Sequence, residues 1–355
     1  MNRATRIFPP LRWAIGGFGV FALIVGGAAL AFELNNGFKL FHLHSSYVRQ
    51  NVNYQKGIVD YRPEGHYFNY GVWASRYGER VRKSETGMPM VNYGGEFHFN
   101  PVTIAEYGLA EHGRWLSGER TKADVEKIAR FLVSMQSPDD GAFRYSFSWK
   151  HYLSDAPFEP GWVSGMAQGQ ALSLFSRAYR LTGDESFLVA GTKSLSFLMT
   201  PIDEGGVMGD LEDIAPDASE LPFFEEYVLS PQVYTLNGFI YAMIGLYDWS
   251  ELPEGSVSDE ERKKARVLFD RGILALERLT PFYDMGGWST YDLGHVTRDR
   301  KHHVSARYHG THVYQLHALA RISGSEVLAA LRDRWAAYLD PEQNLYHRVA
   351  TWRYR

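Results

Sequence analysis

Apolar residues recur with the helical period in a series of segments after Pro101. The segments are residues 103–116, 122–135, 164–182, 186–199, 237–249, 258–280, 309–322 and 325–338. Two of them begin with capping signals, since Asp124 follows Thr121 by three residues and Glu261 follows Ser258 by three. The pattern predicts a mainly helical region over residues 101–355.

The segment 223–249 combines polar and apolar features. Its nearly unbroken apolar run from Tyr234 to Tyr247 predicts a helix that is buried on almost all sides. Glu225, Glu226 and Tyr227 come shortly before this run. Buried carboxylates and phenols cost free energy unless they have partners or a function. The alternative is a pair of solvated glutamates on a loop.

Glycine turns follow several of the predicted helices. Gly141, Gly205–Gly206 and Gly286–Gly287 each lead into a short apolar or aromatic segment. Glycine permits positive φ and close approach of backbones. Helices that alternate with such turns indicate a ring of helical hairpins, an (α/α) toroid, as the fold of residues 101–355.

The region ahead of the helices is different in character. Residues 67–100 are rich in Tyr, Gly and Val, and alternation such as Arg80-Val81-Arg82 predicts a small β-rich region. Residues 33–66 are mixed and polar-aromatic, which we interpret as a stalk.

The N-terminus carries a membrane-targeting pattern. A basic tail, residues 1–12, precedes a charge-free run over residues 13–32, which spans roughly 30 Å as a helix. Basic residues on the N-terminal side favour a type II anchor with the remainder exported to a periplasm or Golgi-type lumen. The alternative is a signal peptide cleaved after Ala31.

Composition narrows the function classes. The net charge of -4 gives no sign of a nucleic-acid-binding protein. The absence of cysteine excludes disulfides, thiolate metal sites and cysteine nucleophiles. The 9 Trp, 22 Tyr and 21 Phe residues suit sugar rings, but they equally suit a hydrophobic core.

Four segments contain candidate binding or catalytic side chains. They contribute Ala167, Gln168, Gly169 and Gln170 from residues 162–171; Glu226, Tyr227 and Asn237; Tyr291 from residues 289–295; and Arg307, Tyr308, His309 and Thr311. The small residues of 162–171 permit either a ligand or a neighbouring helix to approach the backbone.

Two other chemistries stay open at this point. His309 and His312 have a spacing that could hold a metal, although helix-capping or substrate-contacting histidines are the preferred interpretation and no metal site is predicted. Glu225 or Glu226 with Asp292 or Glu204 would be compatible with a glycosidase. No phosphate-binding loop or G-x-S-x-G motif is present.

Four blocks in this order resemble the C-terminal catalytic domain of D-glucuronyl C5-epimerases: WVSGMAQGQALSLFSRAYRLTG, FFEEYVLSPQVYTLNGFIYAMIGLYDW, STYDLGH and ARYHGTHVYQLHAL. The segment GMPMVNYGGEFHFNPVTIAEYGL, residues 87–109, resembles the part of that family just ahead of its helical domain. The resemblance extends from about residue 65 to the C-terminus.

The resemblance implies an (α/α) toroid preceded by β structure, a homodimer and no redox cofactor. The substrate would be glucuronate within an acidic polysaccharide that also contains N-acetyl- or N-sulfo-glucosamine, and inversion at C5 would give iduronate. The family's functional residues carry over to Glu226, Tyr227, Asn237, Tyr291 and Tyr308, and to Gln168, Gly169 and Gln170.

This chain departs from the family at two places. Gly294 stands where the family often has a basic residue after Tyr-Asp-Leu, so the contact to the substrate carboxylate is either missing or supplied by Arg307. The β region, which carries a calcium site in the family, is shorter here.

The expected reaction removes a proton from C5, alpha to a carboxylate, and returns one on the opposite face. Glutamate starts near pKa 4.3 and tyrosine near 10, so one is suited to accept and the other to donate a proton. We expect Glu226 and Tyr308 to be this opposed pair, with Tyr227 and Tyr291 as donors; Tyr227 as the second base is the alternative. The rival functions are a uronate lyase, a glycoside hydrolase and a non-catalytic glycan-binding protein.

Overall fold

Helices dominate the structure, a computed structural model that describes residues 39–70 and 80–354. The helices are α1 (39–49), α2 (Pro101–Leu116), α3 (Lys122–Met135), α4 (Gly165–Thr182), α5 (Ser186–Leu198), α6 (Leu236–Ser250), α7 (Asp259–Tyr283), α8 (Gly294–Thr297), α9 (Ala306–Ser323), α10 (Glu326–Tyr338) and α11 (Leu345–Tyr354). The strands are β1 (Val81–Lys83), β2 (Pro89–Tyr93), β3 (Glu96–His98), β4 (Met208–Gly209) and β5 (Phe223–Phe224).

The helical periodicity locates the main helices within about three residues of their observed ends. The Thr121 hydroxyl accepts from the backbone N–H of Asp124, whose carboxylate accepts from the N–H of Thr121, so this capping box is confirmed. The Ser258 hydroxyl likewise accepts from the N–H of Glu261 at 3.1 Å. The predicted positive φ occurs at Gly141, where φ is 80°.

The predicted β-rich region contains an antiparallel sheet with the strand order β1-β2-β3. Val91 of β2 pairs with Val81 on one side and with His98 on the other. A separate two-stranded ribbon pairs β4 with β5 and leads directly into Glu225 and Glu226.

The described chain divides into two compact units. Residues 39–51 and 339–354 form the smaller unit, in which the Nδ1 atoms of His44 and His347 lie 3.2 Å apart. Residues 52–338 form the larger unit. The predicted stalk covers residues 33–66. In its described part, residues 39–49 form helix α1, and Tyr61 is buried in the larger unit.

In the larger unit, α4 packs against both α2 and α6, and α6 also packs against α9. Each of these four helices contacts the long helix that follows it in the chain: α3, α5, α7 or α10. The predicted burial of α6 is confirmed, since most of its residues are buried. Helices α4 and α6 approach so closely that a Cβ added at Gly245 would overlap the Gly169 carbonyl.

Among residues 39–70 and 80–354, no helix combines the length and apolar character required to cross a bilayer. The predicted anchor, residues 13–32, and the basic tail, residues 1–12, lie outside the described residues.

Candidate active site

A cavity of about 420 Å³ lies in the larger unit. The first turns of α2, α4, α6 and α9 all contribute to its wall, so the N-terminal ends of four helices converge on it. The lining comprises Tyr70, Tyr93, Asn100, Val102, Thr103, Glu106, Tyr107, Tyr145, Trp149, Trp162, Ser164, Met166, Glu226, Tyr227, Asn237, Tyr241, Arg307, Tyr308, Thr311 and Tyr314. Helix N-termini favour negative charge, which suits an anionic substrate or intermediate.

Glu226 reaches this cavity because two glycines let the backbone and side chain pass close to helix ends. The carbonyl of Glu225 accepts from the N–H of Gly165 at 2.7 Å, at the start of α4. At the start of α6, a Cβ added at Gly238 would overlap Oε2 of Glu226. The strand β5 and these two helix ends together fix the carboxylate.

The two adjacent glutamates have different environments. Glu225 is fully buried outside the cavity lining, and its Oε1 accepts from the N–H of Tyr234 at 3.1 Å. Glu226 is 7% exposed and lines the cavity. Burial raises the pKa of Glu226 to about 7; hydrogen bonding from Tyr227 opposes the rise, and the charge of Glu106 adds to it. Glu226 is therefore suited to accept and release a proton near neutral pH.

Tyr291 links the two predicted acid/base residues. Its ring centroid lies 4.3 Å from that of Tyr308, and its backbone is held on both sides, donating to the His303 carbonyl at 2.7 Å and accepting from the Leu236 N–H at 3.0 Å. Hydrogen bonding from Tyr291 lowers the pKa of both Glu226 and Tyr308 against the effect of burial. The Tyr291 phenol thus affects the pKa of both members of the pair.

The phenols are proton donors at neutral pH. Burial raises the pKa of Tyr308 to about 12, and the negative charge of Glu226 contributes to the rise. Burial and the same carboxylate raise the pKa of Tyr227 and Tyr291 well above the usual value. Glu226, which can accept a proton, is therefore accompanied by three phenols that can donate one.

Aromatic rings form another wall of the cavity. Trp162 stacks on Tyr145 with the ring centroids 3.6 Å apart, and its indole N–H donates to the Phe147 carbonyl. The ring of Tyr227 lies 5.2 Å from that of Trp149. Flat aromatic surfaces of this kind suit the apolar faces of a pyranose.

Three of the predicted binding residues, Asn237, Arg307 and Thr311, lie in the cavity lining. Asn237 is buried, and within residues 39–70 and 80–354 its Oδ1 has no hydrogen-bond partner. Arg307 is the only Lys or Arg among the described lining residues, and its carbonyl accepts from the Thr311 hydroxyl at 3.3 Å. At Gly294, a Cβ would lie 2.6 Å from Leu153, so a larger residue does not fit there without movement.

Six predicted site residues lie outside the described lining: the catalytic candidate Tyr291, which packs behind Tyr308, and the binding candidates Ala167, Gln168, Gly169, Gln170 and His309. Ala167, Gln168 and Gln170 are buried, and a Cβ at Gly169 would overlap Ala242 of α6. For this stretch the tight helix contact is the observed arrangement. Gln170 nevertheless supports the wall, because its Nε2 donates to Oε1 of Glu106 at 3.3 Å.

His309 and His312 belong to the packed core. The Ser289 hydroxyl lies 2.8 Å from Nδ1 of each ring, and Nε2 of His309 lies 3.2 Å from the Trp335 carbonyl. Within the described ranges, no three His, Asp or Glu side chains converge as a metal site would require. Calcium, which the family resemblance allows but does not require, has no ligand set among the described residues, so we assign it no step.

Sequence reasoning did not select Glu106, Tyr70, Tyr241 or Tyr314 as site residues. Glu106 lies in the second turn of α2, and Tyr241 and Tyr314 lie beyond the first turn of α6 and α9. The position of Glu106 could have suggested it. Asn237 and Tyr308 lie in the first turns of their helices, and Glu106 lies one turn further along α2.

Comparison with known proteins agrees with this geometry. The family model described as D-glucuronyl C5-epimerase C-terminus matches residues 136–337, more than half of the chain. A D-glucuronyl C5-epimerase of Caenorhabditis elegans is 36% identical over 185 residues, which are 50% of this chain but only 29% of that protein. An uncharacterised protein of Methanocaldococcus jannaschii is 26% identical over 328 residues, covering 89% of this chain and 93% of its own length. The chain therefore belongs to the D-glucuronyl C5-epimerase C-terminal family.

Proposed function

We propose that this protein is a polysaccharide D-glucuronate C5-epimerase that acts on a heparosan-like polymer. One observation carries the proposal: Glu226 and Tyr308 line the same cavity, and the ring of Tyr291 packs against that of Tyr308 with the centroids 4.3 Å apart. The alternative geometry, with these two side chains in separate cavities, would have excluded the mechanism.

The first step breaks the C5–H bond. Ionised Glu226 takes the proton, and the electron pair spreads into the neighbouring carboxylate as an enediolate. Protonated Tyr227, Asn237 and Arg307 surround the space in which this charge develops. Helix N-termini add to the stabilisation of the negative charge.

The second step forms a new C5–H bond on the opposite face. Tyr308 donates its proton to C5 and becomes a phenolate. Glu226 is then protonated, and the proton returns to Tyr308 by way of Tyr291, whose ring centroid lies 4.3 Å from that of Tyr308. The cycle consumes no oxidant or reductant, and the roles exchange in the reverse direction.

A glycoside hydrolase is the second candidate, since Glu106 and Glu226 are two carboxylates in one cavity. The three phenols around Glu226 have no role in that chemistry, and they favour the epimerase.

Incubation with heparosan in heavy water tests the proposal. NMR should show deuterium at C5 of uronate residues and the appearance of iduronate. An unsaturated uronate chromophore without exchange into intact polymer would indicate a lyase, and new reducing ends would indicate a hydrolase. Binding without any of these changes would indicate a non-catalytic protein.

The proposal includes the wider organisation of the protein. Neighbouring α2, α4, α6 and α9, each contacted by the long helix that follows, support an (α/α) toroid. The family resemblance supports a homodimer. The charge-free residues 13–32 support a type II membrane protein with its catalytic domain exported.

A further inference from the structure

The Glu106 carboxylate lies in the cavity wall but takes no part in the proposed proton transfer. It lines the cavity from α2, and its Oε1 accepts from Nε2 of Gln170 at 3.3 Å. No Lys or Arg in the described ranges forms an ion pair with it, in contrast to Glu111 on the same helix, which pairs with Arg114 and Arg120. Burial raises the pKa of Glu106 to about 7, against hydrogen bonding from Gln170 and Tyr70. In its ionised form Glu106 therefore presents to the cavity a negative charge that has no cationic partner among the described residues.

The wall beside Glu106 presents neutral hydroxyl groups. The Tyr70 hydroxyl donates to that of Tyr241 at 2.5 Å, and the hydroxyls of Tyr241 and Tyr314 lie 3.0 Å apart. Burial raises the pKa of each of these three phenols, so they stay uncharged. This wall therefore contains hydrogen-bonding groups and a carboxylate, while the cation of the described lining, Arg307, is on α9.

Such a wall treats sulfated and unsulfated sugars differently. A sugar hydroxyl or amide N–H can donate to the Glu106 carboxylate. A sulfate group has no proton to donate and places negative charge near the ionised carboxylate, and like charges at close range repel each other. Specificity of this kind arises from repulsion of the wrong ligand.

We propose that Glu106 is a specificity-determining residue that restricts the substrate to polymer without sulfate on the sugar next to the reacting uronate. Glu106 accepts a hydrogen bond from a hydroxyl or amide N–H of that sugar. The inference rests on the proposed function, because it assumes that a uronate-containing polymer occupies the cavity. Glu106 lies ahead of the family match of residues 136–337.

The test compares two polymers, heparosan and its N-sulfated derivative, by kcat/KM for C5 exchange in heavy water. The wild type should prefer heparosan by about tenfold or more, and Glu106→Gln should reduce that preference by about tenfold, mainly through gain on the sulfated polymer. The amide oxygen introduced by Glu106→Gln can still accept from Gln170, so the fold should be retained. Glu106→Asp keeps the charge and should keep the preference. Glu119→Gln removes an exposed glutamate just beyond α2 and should change nothing.

Equal use of both polymers by the wild type overturns the inference whether or not the variants fold. An unchanged preference in Glu106→Gln overturns it while the proposed function stands. If neither polymer undergoes exchange, the proposed function fails, and calorimetric affinities for the same polymers decide the inference. Tighter wild-type binding of heparosan that is lost in Glu106→Gln supports it, whereas equal affinities or no binding overturn it.

Discussion

Gly238 leaves room for the carboxylate of Glu226 at the start of α6. A Cβ at this position would overlap Oε2 of Glu226 and lie 2.6 Å from its Cβ. The carboxylate that we propose as the proton acceptor is therefore held against a helix N-terminus, in space left by the missing side chain at Gly238. Position 238 controls the geometry of the site although glycine itself has no chemistry to contribute.

Gly238→Ala should displace Glu226 and lower kcat/KM for C5 exchange by about 100-fold, the usual cost of moving a catalytic group by about 1 Å. Gly65→Ala is the control, because a Cβ there meets its nearest neighbours at an ordinary 3.5 Å. Near-wild-type exchange by a folded Gly238→Ala variant would show that the carboxylate position is not critical.

Glu226→Gln should make the protein more stable at pH 8. The folded-state pKa of about 7 lies above the ordinary value of 4.5, so the folded protein binds this proton more tightly than the unfolded chain does. The resulting stabilisation is complete below about pH 4.5 and is lost as the pH rises through about 7. The gain in unfolding free energy should be about 1–3 kcal/mol at pH 8 and should shrink toward pH 5. Urea denaturation across this range checks it, and a gain that does not vary with pH would contradict it.

The kcat/KM for exchange should rise as the pH increases through about 7, because Glu226 must be ionised to accept the C5 proton. Tyr308 must stay protonated, and its pKa of about 12 places the loss of activity at high pH. In Glu106→Gln the rise should move to lower pH, since the charge of Glu106 raises the pKa of Glu226. Both carboxylates titrate near 7, so the wild-type profile reports the pair. An unshifted pH profile in Glu106→Gln would show that the charge of Glu106 does not affect the titration of Glu226.

Arg307→Gln should raise KM for the polymer roughly tenfold, equal to about 1.4 kcal/mol, because it removes the one cation of the described lining. The salt dependence of KM should weaken as well. Arg278→Gln removes an exposed arginine that pairs with Asp217 outside the cavity lining, and it should leave both quantities unchanged. A fall in kcat alone would assign Arg307 to the chemical step.

Periodicity located most of the helices because a helix that buries one face has apolar residues spaced with the helical period. The run from Tyr234 to Tyr247 was located instead by its continuous apolar character, and most of it lies in α6, Leu236–Ser250, which is buried on almost all sides. The two-unit division was not predictable in this way. Residues 339–354 follow the last predicted helix without a strong period, and their association with residues 39–51 is a long-range contact.

The site was predictable where chemistry and position coincide. Glu226 and Tyr308 combine unusual placement with family motifs, and both line the cavity. Gln168 and His309 have equally suitable functional groups, yet they are fully buried. Which side of a helix faces a cavity depends on how neighbouring helices pack, and that information is absent from local sequence. Glu106 was missed for the same reason.

The opposed pair of Glu226 and Tyr308 is most directly tested by C5 exchange in heavy water with Glu226→Gln and Tyr308→Phe. Both variants keep the size of the original side chain while removing its proton-transfer function. We predict that the wild type incorporates deuterium into the polymer and that each variant loses about 100- to 10,000-fold of that rate while remaining folded. Exchange at the wild-type rate in both variants would contradict the account.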